Sequence, residues 1–505
     1  MKNILATLIL FLQLSVSFSQ NNQFTGKFQK VDSYIDSIRK DWNVPGMAIA
    51  IVYKDQLIYA KGYGYRDLEK KLPFETTTLF PIASNTKLIT ATIACMLQQE
   101  GVINLDVPVK RYHSSLIFPT DELNTYATLR DLLSHRTGLI SYDGLWVNNT
   151  FSRSELTEKV QYMKPALGFR EGYIYNNMMY ATAGAILEKA TGTSWEELVK
   201  KRIFEPLDMK SSCFSNEQMK SFGNYALSYY QSDTNSKALT ARTFVAISDA
   251  LGPAGTIKSS IEDLSHWMIA QLNNGKYKGK QVIPAAVIEQ TLIPNSIADR
   301  QNRWSELSHA LYGLGRTTQT YKGYKLNRHT GSIDGYYSNL SILPEKDMAV
   351  FMVLNQDEAG SLRPIMPLPV FDILLDLSYT PWIDRSKKDY LLGKIQTKKF
   401  RDSIAKTQVK NTTPSHPLSA YTGEYSHPAY GSFKIALENN KLVLNFRQQK
   451  SILYHFHYDQ FTTKEERTDL PDFRLNFLMN EKGDINRFSV SPYGDPAVEF
   501  IKLNP

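Results

Sequence analysis

Leu79-Phe80-Pro81-Ile82-Ala83-Ser84-Asn85-Thr86-Lys87-Leu88-Ile89 decides the fold of this 505-residue chain. An apolar run carries a serine and a lysine three residues apart, and a helical pattern follows from Thr86 to Gly101, where glycine ends it. On a helix that spacing puts both side chains on one face, so an ammonium, or an amine where desolvation depresses its pKa, lies beside the hydroxyl. A serine hydroxyl is a weak nucleophile until a base takes its proton. The same S-x-x-K spacing recurs at Ser37-Lys40, on a charged surface helix, and at Ser403-Lys406, in a basic segment. Only Ser84 has an apolar setting in which a site excludes water.

Around this stretch the pattern predicts a helix over Phe28 to Trp42 and a hairpin of Met47 to Tyr53 and Gln56 to Tyr63 about Lys54-Asp55. A helix from Thr193 to Ile203, capped by Thr193, and a second hairpin, Tyr337 to Leu343 with Met348 to Asn355, come later. Helix, hairpin, helix-rich middle and closing hairpin predict a mixed α/β (α+β) domain over 28–378, whose two ends share one antiparallel sheet flanked by helices. From Tyr421 onward six short alternating runs, Phe433–Leu437, Lys441–Phe446, Ile452–Phe456, Phe473–Met479, Arg487–Ser491 and Ala497–Leu503, predict a small all-β meander or barrel over 414–505. Between them, 379–413 reads as a basic helical linker.

With 42% hydrophobic and 21% charged residues the chain is globular, and its length argues for more than one core. The net charge of +8 is concentrated between Arg385 and Lys410, where nine basic residues face Asp389 and Asp402. A local basic segment on a nearly neutral chain argues against nucleic acid as a partner. Met1-Lys2-Asn3, the apolar run Ile4 to Val16 and the small-x-small Ser17-Phe18-Ser19 predict a secretory signal over 1–19, hence a periplasmic or secreted protein without stable membrane insertion. Cys95 lies in an apolar helical stretch, so Cys95 and Cys213 are expected to be free thiols. There is no G-x-S-x-G, H-E-x-x-H, C-x-x-C or G-x-G-x-x-G, so the metalloprotease and dinucleotide readings lose their support, and no cofactor or metal is expected.

Downstream of Ser84 lie Gly172-Tyr173-Ile174-Tyr175-Asn176-Asn177 and His329-Thr330-Gly331-Ser332. In this order the three elements resemble the S-x-x-K, Y-x-N and K/H-T-G motifs of the serine β-lactamase and penicillin-binding superfamily, in the branch holding class C β-lactamases, D-Ala-D-Ala carboxypeptidases, D-aminopeptidases and esterases. Leu129–Leu139, Ala181–Met209 and Gly252–Trp267 resemble further family segments, and the resemblance covers roughly Phe28 to Asp376. The segment from about Tyr421 resembles the lipocalin-like appendage of some members.

The resemblance implies that Ser84 is acylated, that Lys87 and Tyr175 shuttle its proton, and that Asn177 binds the substrate's amide. It implies an oxyanion hole at the backbone N–H groups of Ser84 and Ser332, with Gly331 between that strand edge and His329 and Thr330, which would face a substrate carboxylate. An adjacent ammonium would favour the Tyr175 phenolate. Tyr337-Ser338-Asn339 also spells Y-x-N but falls inside a predicted strand, His135 reads as a hydrogen-bonded supporting residue, and His455 and His457 read as a solvated pair. Lysine is usual at the His329 position in true β-lactamases, whereas histidine there resembles the D-Ala peptidases, D-aminopeptidases and some esterases; with the predicted signal, the resemblance implies an exported serine hydrolase acting on D-amino-acid-containing peptides or small esters. A β-lactamase proper, or a penicillin-binding sensor with little turnover, is the alternative. The expected partner is a small molecule or short peptide, cell-wall peptides included, and the C-terminal domain is expected to adjust access without supplying chemistry.

Overall fold

The structure is a computed structural model and describes residues 23–231, 238–242, 244, 249–299, 303–447, 449–464 and 473–503. The expected leader at 1–19 lies outside these residues.

The strand β1 (Gly46–Tyr53, GMAIAIVY) is apolar at nearly every position because it is covered on both faces. Its alternate residues divide between two cores, as a period of two requires. Met47, Ile49 and Ile51 join Val31, Ile35 and Ile38 of helix α1 (Thr25–Asp41), while Ala48, Ala50 and Val52 join the main core, which also takes in helix α2 (Thr86–Gln99). β1 pairs with β2 (Gln56–Asp67), which leads to the short β3 (Leu72–Pro73). The chain then leaves the sheet for a largely helical body that includes α3 (Asn177–Thr191) and α4 (Ile261–Leu272). It returns through β4 (Ser296–Asp299), β5 (Ala310–Tyr312), β6 (Thr317–Tyr321), β7 (Tyr324–Ile333), β8 (Tyr336–Leu343) and β9 (Met348–Leu354). The nine strands are ordered β4-β5-β6-β7-β8-β9-β1-β2-β3, with Met47 opposite Leu354, so both ends of the domain do share one antiparallel sheet.

Local chemistry moves two predicted details. The helix expected over Thr193 to Ile203 is Trp195–Val199 and continues as a π turn, Lys200–Phe204. Ser194, not Thr193, is its cap, because the Ser194 side chain accepts the Glu197 N–H. Downstream, Trp382–Lys406 forms a single helix, α5, with Leu391, Leu392, Ile395 and Phe400 exposed.

The C-terminal unit is a closed eight-stranded antiparallel barrel, β10 (Gly423–His427), β11 (Gly431–Glu438), β12 (Lys441–Phe446), β13 (Gln449–His457), β14 (Gln460–Thr462), β15 (Arg474–Met479), β16 (Ile485–Val490) and β17 (Val498–Lys502). Two of these strands, β10 and β14, are absent from the six alternating runs. Their three- and five-residue lengths give periodicity little to act on. Closure comes from β10 against β17, Tyr425 opposite Lys502, around an aromatic interior in which Phe433 and Phe446 stack at 3.8 Å. His455 and His457 stand either side of a register shift and bond separately to the Tyr458 carbonyl and the Val409 N–H.

Cys95 and Cys213 are free and buried, and burial raises both thiols above their ordinary pKa. Among the described residues no helix is long and apolar enough to cross a membrane.

Candidate active site

Ser84 sits in a one-turn 3-10 segment, Ala83–Asn85, immediately before α2. Ala83 is held at φ +50°, a left-handed conformation that costs a non-glycine residue on the order of 1–3 kcal/mol. The surroundings impose it. Ser338 Oγ donates to Ile82 O at 2.8 Å, Asn85 Nδ2 to Ser338 Oγ at 2.8 Å, and Ile82 N to Ile257 O at 3.0 Å. Gly331 of β7 lies so close to the Ile82 carbonyl and Ala83 Cβ that no side chain fits there, so the strand edge carrying Thr330 and Ser332 presses on the turn that carries Ser84.

One helical turn on, Lys87 is fully buried. Its Nζ stands 3.1 Å from Ser84 Oγ, 2.7 Å from Asn177 Oδ1 and 2.7 Å from Ala254 O. Burial lowers its pKa to about 7, against the opposing field of Asp143. A neutral amine fits this cage: two N–H bonds go to the two carbonyl oxygens and the lone pair faces the serine hydroxyl.

Asn177 opens α3, whose cap is Asn176. The Asn177 amide is occupied at both ends, accepting from Lys87 and donating to Asp143 Oδ1 at 3.1 Å. Tyr175 packs its ring 4.8 Å from Lys87 Nζ and hydrogen-bonds Ser84. The expected phenolate is not supported. Desolvation pushes the Tyr175 hydroxyl well above its ordinary pKa, outweighing the Ser84 hydrogen bond and the field of Arg363, so Tyr175 is a protonated donor.

Burial also governs His329. Burial, reinforced by Lys87, lowers its pKa to about 3, and both nitrogens are used: Nε2 lies 3.1 Å from Tyr312 Oη and Nδ1 2.8 Å from the Thr330 carbonyl. It is a neutral wall residue. Thr330 pairs with Asn339 and Ser332 with Tyr337 across the β7–β8 ladder, and Ser332 is exposed. His135 has the expected supporting role, accepting the Asn176 N–H at Nδ1 among the rings of Tyr173, Tyr175, Tyr180 and Tyr312. The competing Tyr337 and Asn339 bond elsewhere, to Asp357 and to the Arg363 carbonyl. Among the described residues no group of three His, Cys, Asp or Glu side chains is arranged to hold a metal ion.

Residues 31–373 match the beta-lactamase family model. The chain belongs to the beta-lactamase family. Residues 407–504 match a second model, described as a domain of unknown function, DUF3471. Among curated proteins this family member is 24% identical to an unguisins hydrolase of Aspergillus campestris over 489 residues, 92% of this chain and 87% of that protein. It is 26% identical to protein flp of Staphylococcus aureus over 335 residues, 65% of this chain and 63% of that protein. Among solved structures it shares the fold of the octameric penicillin-binding protein homologue from Pyrococcus abyssi, with a TM-score of 0.61, 22% identity, and coverage of 94% of this chain and 100% of that one. A D-amino acid amidase from Ochrobactrum anthropi has the same fold at a TM-score of 0.56 and 22% identity, over 70% of this chain and 98% of that one.

Three groups at the site of this beta-lactamase family member are missing from its sequence motifs. Asp143 orients Asn177, Tyr312 fixes His329, and the positive charge of Arg363 opposes the burial-driven rise at Tyr175 and Tyr337 and adds to the fall at His329. None lies at a distinctive spacing from Ser84, Tyr175 or His329, so only the tertiary fold reveals them.

Proposed function

We propose that this protein is an exported serine hydrolase that forms an acyl-enzyme at Ser84 on amide or ester substrates, D-amino-acid-containing peptides or amides and small esters foremost. The observation that carries this is the Lys87 amine, desolvated to a pKa of about 7 and 3.1 Å from Ser84 Oγ. In acylation the Ser84 proton passes to Lys87 as Oγ bonds to the substrate carbonyl carbon, and the carbonyl π pair moves onto oxygen, toward the backbone N–H groups of Ser84 and Ser332. As that oxyanion collapses, the bond to the leaving nitrogen or oxygen breaks. Tyr175 gives its phenol proton to the leaving atom and recovers one from Lys87. Water then attacks the acyl ester, the same pair takes its proton, and Ser84 is released. Two relatives named for hydrolysis, the unguisins hydrolase and the D-amino acid amidase, support an amide-cleaving reading.

Fluorophosphonate treatment of the mature protein, with peptide mapping by mass spectrometry, tests the mechanism. One adduct is expected, at Ser84, and an adduct at any other serine sinks the proposal. A panel of D-aminoacyl amides, D-Ala-D-Ala peptides, short esters and a chromogenic cephalosporin then ranks the substrates. Neutral His329 favours substrates without a carboxylate on its side of the cleft and leaves Arg363 to provide positive charge there. Arg363→Gln is therefore expected to raise KM for carboxylate-ended peptides by roughly tenfold, the worth of one partly buried charge-assisted bond, and to change KM for amides little. Equal effects on both substrate classes would remove Arg363 from substrate recognition.

A further inference from the structure

One contact of the barrel leads back to the catalytic amine. Lys87 is oriented by the Asn177 carbonyl, and the Asn177 amide by Asp143, whose Oδ1 also accepts from Ser141 Oγ and Trp146 Nε1, both at 2.9 Å. Asp143 is held in turn from the other domain. Asp495, on the loop before β17, is buried and accepts from Gly144 N at 2.9 Å, from the Asp143 backbone N–H and from Tyr430 Oη at 2.7 Å. The fit leaves no slack: a Cβ on Gly144 would lie 2.5 Å from Asp495 Oδ2 and 3.0 Å from the Pro492 carbonyl. Gly144 is thus required by the approach of the barrel. The loop that delivers Asp495 holds Tyr493 at φ +51°, a conformation that a non-glycine residue keeps only where surrounding contacts over-determine it, and follows it with Gly494 at φ +84°, which glycine adopts freely.

We propose that Asp495 is a positioning residue of the active site: by fixing the backbone of Asp143 and Gly144 it sets Asp143, through Asp143 the Asn177 amide, and through Asn177 the Lys87 amine. The barrel then completes the catalytic centre while touching no reacting atom, which goes further than adjusting access. The inference rests on the reading of Lys87 as the base of a serine hydrolase. Mere docking of the barrel already has other contacts, such as Lys159 Nζ to the Pro428 carbonyl at 3.2 Å and Tyr162 against His427. The charged and titratable groups around Asp495 are Asp143 and Tyr142 on one side and Tyr430, Tyr493 and Arg447 on the other. Around Lys87 they are Asp143, His135, His329, Tyr175 and Tyr180. The Asp143 field supports the protonated form of Lys87, so loosening Asp143 moves the acidic limb of the rate profile to lower pH.

The test uses the full chain, a D-aminoacyl amide or an activated ester, and Asp495→Ala, Asp495→Asn and Gly144→Ala. Asp495→Ala and Gly144→Ala, on opposite sides of one contact, are expected to lower kcat about ten- to a hundredfold with KM within about twofold, the scale of a slightly misplaced catalytic group. Both also shift the acidic limb of the pH profile downward. Asp495→Asn keeps an acceptor oxygen and is expected to recover most of kcat. A folded Asp495→Ala with wild-type kcat and limb position overturns the inference, as does a loss confined to KM or to melting temperature. If Asp495→Ala does not fold, Gly144→Ala decides by the same readings. Ser84 labelling of the wild type separates the two levels: a wild type that takes no label overturns the hydrolase reading and this inference with it, whereas a labelled wild type with unaffected variants overturns the inference alone.

Discussion

Ser84→Ala is expected to abolish the fluorophosphonate adduct and to lower turnover by on the order of 10⁴-fold or more, the usual cost of deleting a nucleophile in a preorganised hydrolase site. Lys87 has no other hydroxyl to activate through a hydrogen bond: its remaining side-chain hydrogen bonds go to the Asn177 and Ala254 carbonyl oxygens. The substitution is mild for the fold, because the Ala83 turn is held by Ser338, Asn85 and Ile257 and not by the Ser84 hydroxyl. Circular dichroism and melting should therefore match the wild type while activity disappears. Ser37→Ala and Ser403→Ala are the controls. Their hydroxyls bond only to the carbonyls one turn back, of Tyr34 and Phe400, on exposed helix surfaces, and turnover should stay unchanged. Retained activity in Ser84→Ala, or loss in either control, would move the chemistry away from the Ser84 turn.

Much of the site could be read from the chain because its carriers are local. S-x-x-K on one helix, Y-x-N at a helix cap and the Gly331 strand edge each depend on a few neighbouring residues, and the near-continuous apolar run of β1 marks a strand buried on both faces. What escaped is set by tertiary surroundings. The sign of the Tyr175 shift is decided by desolvation, to which helices, strands and loops distant in sequence all contribute, whereas adjacency to Lys87 alone points to the opposite sign. Burial likewise holds His329 neutral well below neutral pH. Asp143, Tyr312 and Arg363 carry no motif, and the Asp495–Gly144 contact joins positions 351 residues apart. The left-handed Ala83 has no sequence signal, since alanine is an ordinary residue and the strain is imposed by the strands around it.

Lys87→Ala, Tyr175→Phe and the double variant are expected to lose similar amounts of kcat, each on the order of 10³-fold, because groups that share one proton fail together and their losses do not add. The Ser84 hydroxyl bridges them, 3.1 Å from the Lys87 amine and hydrogen-bonded to Tyr175. Strictly additive losses would mean independent roles. The pH profile then assigns the direction of transfer. With Lys87 at about 7 as the base, kcat/KM rises as pH increases through about 7, where the amine loses its proton, and levels off above. Tyr175, raised by burial, stays protonated across that range and contributes no limb of its own there. Tyr175→Phe should therefore lower the plateau while keeping the acidic limb, and Lys87→Ala should erase the limb. A phenolate base would give the reverse, an acidic limb that vanishes with Tyr175→Phe and survives Lys87→Ala. Asp143→Asn adds a third reading: asparagine can still accept from the Asn177 amide but removes the carboxylate field that favours the Lys87 ammonium, so the limb should move to lower pH with Asn177 still held. A limb that does not move in Asp143→Asn would mean that Lys87 is not the group titrating near neutrality.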